Sequence, residues 1–286
     1  VAEWLVFARS PRVREAFELI RDFMAEVFRP DALAHVRAVF LVDREGIRSA
    51  REAAIRMGLY KTVDVLRGAL YRGLWLPGEG VIIVLHTPHI NNTYWELYSI
   101  TAHELGHAIT STPDREAELA GALSTDLPEL DTAYNYLNVA MASSQTPEVW
   151  QKFLDELLRA AYREVMCEMP ADIIERNYFI VLRREVATPD IVASPAAADA
   201  LGAVGSDIMH AYFERLEEEE RARLAEIVDN IITALDAAAR KLERGELPHL
   251  ARKVHEIFAA SIKAWPADVM EREPRYRKLL EQTPIG

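Results

Sequence analysis

Tyr94-Trp95-Glu96-Leu97-Tyr98-Ser99-Ile100-Thr101-Ala102-His103-Glu104-Leu105-Gly106-His107-Ala108-Ile109 is the stretch whose reading decides the fold. It contains H-E-x-x-H. On a helix turning about 100° per residue, His103 and His107 lie one turn apart and within about 40° of each other, so both imidazoles reach one metal ion. Glu104 points to the side of that pair, where it can accept a proton from a metal-bound water. Tyr98, Ala102, Leu105 and Ile109 fall at i, i+4, i+7 and i+11 on the opposite face and make a core-facing stripe. One side of the helix is thus set for burial and the other for chemistry. The competing reading, a surface helix with two accidental histidines, has no use for such a stripe.

Outward from this helix, the pattern predicts an α+β fold that is mostly helical. Pro11 to Phe28 carries Val13, Phe17, Ile20, Met24 and Val27 at helical spacing, and Val36 to Val42 reads as a strand closed by the turn Asp43 to Gly46. Residues 47–72 read as one or two helices, with Leu70 among their apolar positions and Gly58 a possible break. Val81 to His86 is a second strand just before the central helix. It is either an edge strand lying along a metal cleft, open to an added peptide strand, or a plain core strand. Downstream the signals are helical: starts at Ser111-Thr112-Pro113 and Thr146-Pro147, a helix over Leu130 to Ala142, a Pro- and Ala-rich loop at 184–196, and amphipathic helix from Ser206 to Gly245. The acidic run Glu217 to Glu220 reads as a solvated face. Three parts are expected: 1–110 with a small sheet packed on the H-E-x-x-H helix, a helical part at 111–186, and a helical extension at 187–286.

The chain has 286 residues, half of them hydrophobic, and a net charge of −12. That size supports a large core. The charge, with no Lys/Arg block, argues against a nucleic-acid partner, and the apolar runs are strand-length, too short for a membrane span. A lone cysteine, Cys167, excludes an intrachain disulfide framework. No secretory leader is evident at Val1-Ala2-Glu3-Trp4, so a cytoplasmic location is expected. Few Asn and Gln, and Arg far in excess of Lys, hint at a thermophile.

A catalytic zinc site takes three protein ligands and keeps a position for water. The H-E-x-x-H-x-x-G-x-x-H/D pattern fails here, because Thr110 and Pro113 stand where Gly and His or Asp belong. Metzincins are thereby excluded. Glu164-Val165-Met166-Cys167-Glu168-Met169-Pro170-Ala171-Asp172 offers a better place, since Glu168 and Asp172 are one helical turn apart: one carboxylate can ligate while the next receives the N–H of a ligand histidine. Pro170 within it should kink the helix.

H-E-x-x-H followed by a distant E-x-x-A-D resembles the gluzincin zinc peptidases, in the form found in their CAAX-prenyl-protease and heat-shock-protease branch. The resemblance covers residues 81–175 at most. It implies one zinc ion per chain, His103, His107 and Glu168 as ligands, Glu104 as general base, and Asp172 behind a ligand histidine. Members of that branch are commonly membrane-embedded, whereas this chain has no candidate span and looks like a soluble relative. Arg115 to Leu123 resembles instead the downstream helix of phage-repressor-cleaving metallopeptidases, which implies Glu116 or Glu118 as the third ligand. Many gluzincins also stabilise an oxyanion with a downstream His or Tyr, a role open to His210, Tyr212 or Tyr178. Cys167 reads as a small buried hydrophobe.

The expected activity is hydrolysis of a peptide or protein substrate. A regulatory or partner-binding protein on a peptidase scaffold, and a non-peptidase zinc hydrolase, are the competing readings.

Overall fold

The computed structural model describes residues 1–68, 71–188 and 192–286. Leu70 and the middle of the 184–196 loop lie outside the described residues. The architecture is α+β and mostly helical, with one four-stranded sheet formed by the N-terminal part of the chain. Two compact units result: Val1–Thr112, Ile174–Glu185 and His255–Gly286 form one, and Pro113–Ile173 with Val186–Val254 the other. The last thirty or so residues therefore belong with the N-terminal unit. No helix among the described residues is long and apolar enough to cross a membrane.

In the first unit, strands β1 (Glu3–Phe7), β2 (Ala38–Asp43), β3 (Gly73–Leu76) and β4 (Val81–His86) take the order β1-β2-β4-β3. β1, β2 and β4 are parallel, and β3 runs antiparallel to β4. Every residue of β2 and β4 is buried, as continuous apolar runs in a doubly covered parallel sheet should be. Val81–His86 is thus an interior strand with a neighbour on each side. The edge role falls to β3, whose four residues are too few to show a period of two in sequence.

One face of the sheet, with Phe40, Val42 and Ile83, packs on helices α2 (Ile47–Arg56) and α3 (Tyr60–Gly68) through Ala50, Ala54 and Leu66. Gly58, in the left-handed region at φ +72°, separates the two helices. Helix α4 (Tyr94–Thr110) packs on β3 and β4. Its start is fixed by a capping box: Thr93 Oγ1 accepts from the Glu96 N–H at 3.0 Å, and the Glu96 carboxylate accepts from the Thr93 N–H at 3.0 Å. Tyr98, Ala102, Leu105 and Ile109 are all fully buried, as the stripe predicts. Tyr98 sits edge-on to Phe23 and Phe179, and its hydroxyl donates to the Phe179 carbonyl at 2.9 Å. Helix α1 (Pro11–Val27) supplies Phe23, which also meets Tyr276 near the C-terminus.

The second unit is helical. It contains α5 (Pro113–Asp126), α6 (Pro128–Ser143) and α7 (Pro147–Ala160), then a π-helical stretch, Ala161–Glu168, and most of α8 (Met169–Ile174). After the loop come α9 (Pro195–Ala203), α10 (Met209–Phe213) and the long α11 (Glu218–Arg244). α11 packs along α6 and α9 and ends at Gly245, φ +69°. Helices α12 (Pro248–Ser261) and α13 (Pro266–Arg272) follow, and then a 3-10 helix, Pro274–Leu280.

The acidic run departs from its expected role. Glu217, Glu218 and Glu219 are exposed, but Glu220 is buried. Its carboxylate accepts from the Ser144 hydroxyl and from the Gln145 N–H at 2.7 Å, serving the polar turn before α7. Charge density along the run could not single out this residue, because its partners lie some 75 positions away. Burial opposes ionisation of Glu220, yet the bonds from Ser144, Gln145 and Thr146 hold its pKa below the usual carboxylate value. A carboxylate with a depressed folded pKa contributes stability above its unfolded pKa, and that contribution is lost as pH falls through the folded value. Glu220→Ala should therefore cost about 2 kcal/mol at neutral pH, with the difference from wild type shrinking progressively below about pH 4. Urea unfolding at a series of pH values measures this.

Candidate metal centre

Helix α4 presents its motif as the spacing requires. The His103 and His107 rings lie 4.7 Å apart between centroids and at 84° to each other. His103 is buried and His107 half-buried. His103 Nδ1 lies 3.1 Å from Glu175 Oε2, and Ser99, one turn before His103, donates its hydroxyl to Glu175 Oε1. Where Nδ1 carries the hydrogen and donates it to this carboxylate, the ring's lone pair is on Nε2. That tautomer is the one a metal needs, and the carboxylate raises the basicity of the ring.

Glu104 is buried on the same turn, at 5% exposure. It packs against the edge strand at Gly73: a Cβ built there would stand 2.9 Å from Glu104 Cγ and Oε1 and 2.9 Å from Ile100 Cγ1. Only glycine at this position lets the strand backbone lie over the carboxylate. Two residues on, Trp75 Nε1 donates to Ser111 Oγ at 3.1 Å just past the end of α4, and the Trp75 ring meets His35 edge-on. His35 Nε2 in turn lies 2.5 Å from the Ala108 carbonyl. β3 is thereby tied to α4 at both ends of the motif.

Glu168, Asp172 and Glu175 follow one another at i, i+4 and i+7 on an unbroken helical run. Pro170 disturbs that run by widening it. Having no N–H, it cannot donate to the carbonyl four residues back, which its ring also crowds. π-helix lies on both sides of α8, over Ala161–Glu168 and Glu175–Ile180, with Met169 N–H reaching Glu164 O and Val181 N–H reaching Arg176 O, each five residues back. Wide turns of this kind re-aim side chains and concentrate at functional sites.

Of the residues that could hold a metal ion, His103, His107 and Glu175 belong to the first unit and Glu168 and Asp172 to the second. Two imidazole nitrogens and a carboxylate oxygen are a donor set that suits zinc. Glu116, Glu118 and His210 are not among those residues. Glu116 accepts from the Tyr162 hydroxyl at 3.4 Å, Glu118 pairs with Lys253 at 3.7 Å, and His210 is exposed on α10. Tyr212 donates to Glu156, and Tyr178 is buried with its hydroxyl on His255 and its ring stacked on Phe258. Cys167 is half-buried, and burial pushes its thiol pKa up, away from the thiolate a nucleophile needs.

Sequence reasoning missed Glu175, although the Glu168-Asp172-Glu175 spacing was a signal that could have found it. It also missed Gly73, which carries no chemistry of its own. No family model, curated protein or solved structure matches the chain.

If Glu175 fixes the His103 ring, Glu175→Ala should weaken zinc binding about 10- to 100-fold while leaving the fold intact. Competition titration against a chelator of known affinity, with circular dichroism alongside, reads this directly; unchanged affinity would contradict the role.

Proposed function

We propose that this chain is a zinc-dependent peptidase in which His103, His107 and Glu168 hold the metal and Glu104 is the general base. The observation that carries the reading is the paired histidine turn with His103 Nδ1 on Glu175, beside a buried Glu104. A purely structural site has no need of a carboxylate between its ligands. The resemblance to gluzincins supports the same assignment, with Asp172 as a further carboxylate behind the ligand histidines.

Zinc, when bound, supplies a Lewis acid that acidifies its water and polarises the scissile carbonyl. Glu104 takes one proton from the attacking water and returns it to the leaving amine nitrogen as the carbon–nitrogen bond breaks. Its burial strengthens that exchange, because little water competes for the carboxylate. Strand β3 favours a peptide over other amides. It ends the sheet order, so its outer edge has no strand partner among the described residues, and an extended peptide can add there through backbone hydrogen bonds. Gly73 lies on this strand against Glu104, so the added peptide would pass close to the base.

Glu104→Gln should retain zinc and lose cleavage of an unfolded protein such as denatured casein by 10²-fold or more. Gly73→Ala should also retain zinc, while pushing the carboxylate aside and lowering turnover by up to about a hundredfold. Wild-type cleavage by the Glu104→Gln enzyme would rule out the base assignment.

A further inference from the structure

The second unit holds a cavity of about 510 Å³ between α5, α6 and the run from α7 into its π-helical continuation. This falls within the range of small-molecule sites. It stays open because α5 turns small residues toward it, Ala117, Ala120 and Ser124, and its apolar lining includes the buried Leu123, Leu127 and Leu130. At its mouth Leu158 and Tyr162 remain 46% and 54% exposed. These are large apolar groups left in water beside an open apolar hollow.

The charge around it has one sign. Glu116 and Asp131 line the cavity, and no Lys, Arg or His does so among the described residues. Within the same residues Asp131 makes no hydrogen bond or ion pair with another side chain, and Glu116 takes only the long 3.4 Å bond from Tyr162. The Tyr134 hydroxyl, also on the lining, has no hydrogen-bond partner among them. A neutral apolar ligand would desolvate these carboxylates without compensation, and an anion would be repelled. A cation with an apolar body satisfies both the walls and the rim.

We propose that this cavity is a binding site for an amphipathic monoamine, with its ammonium held by Asp131 and Glu116 and its aryl or alkyl body among the leucines. The site does not rest on the metal reading. It is tested on the full chain by titrating three matched probes, 4-phenylbutylamine, 4-phenylbutanol and 4-phenylbutyrate, followed by NMR or calorimetry. The amine should bind saturably and at least tenfold more tightly than the alcohol, and the carboxylate should bind most weakly. Asp131→Asn, at an exposed position, should cut the preference for amine over alcohol to threefold or less. Ala120→Trp, also exposed and large enough to obstruct the hollow, should abolish binding of the amine. Equal affinity for the three probes, no saturable binding of the amine, or amine binding that survives Ala120→Trp would each overturn the proposal.

Discussion

Burying ionisable groups on a core helix costs several kcal/mol unless each finds a partner, and the centre of this protein is built around meeting that cost. Helix α4 spends one face on the sheet and on the Tyr98 aromatic cluster. On the other it carries a buried histidine and a buried glutamate one residue apart. Glu175 takes the inner nitrogen of His103, and Ser99 steadies Glu175 from the preceding turn. Gly73 gives Glu104 its room. The strand order, with β3 at the edge, and the wide helical turns around Pro170 are the larger features that put these partners within reach.

Much of this was legible in the chain. The four-residue stripe on α4 named the buried face, and the prolines at 113 and 147 marked real helix starts, although Thr146 makes no side-chain cap. What escaped had physical reasons. β1 and β3 are short, and β3 holds a glycine and only three side chains, so neither gives a periodic signal. β4 reads the same as an edge or a core strand until its neighbours are known, and only the pairing with β2 and β3 decides. Glu220 looks like any other member of an acidic run, because the turn it serves lies far off in sequence.

Pro170 shows the same limit from the other side. Its covalent geometry guarantees a disturbed helix, but not the form of the disturbance. Here the run is widened into π-helix on both sides rather than ended, and Glu168, Asp172 and Glu175 stay on one continuous element. Glu168 and Asp172 thus stay one turn apart on that element despite the proline between them.

Zinc content tests the central claim most directly. Protein purified without added metal, then titrated with zinc, should bind about one ion per chain; the site should be lost in His103→Ala and Glu168→Ala and kept in Glu116→Ala and Glu118→Ala. A wild-type chain that takes up no zinc, or one whose zinc survives loss of Glu168 and disappears with Glu116 or Glu118, would contradict the account.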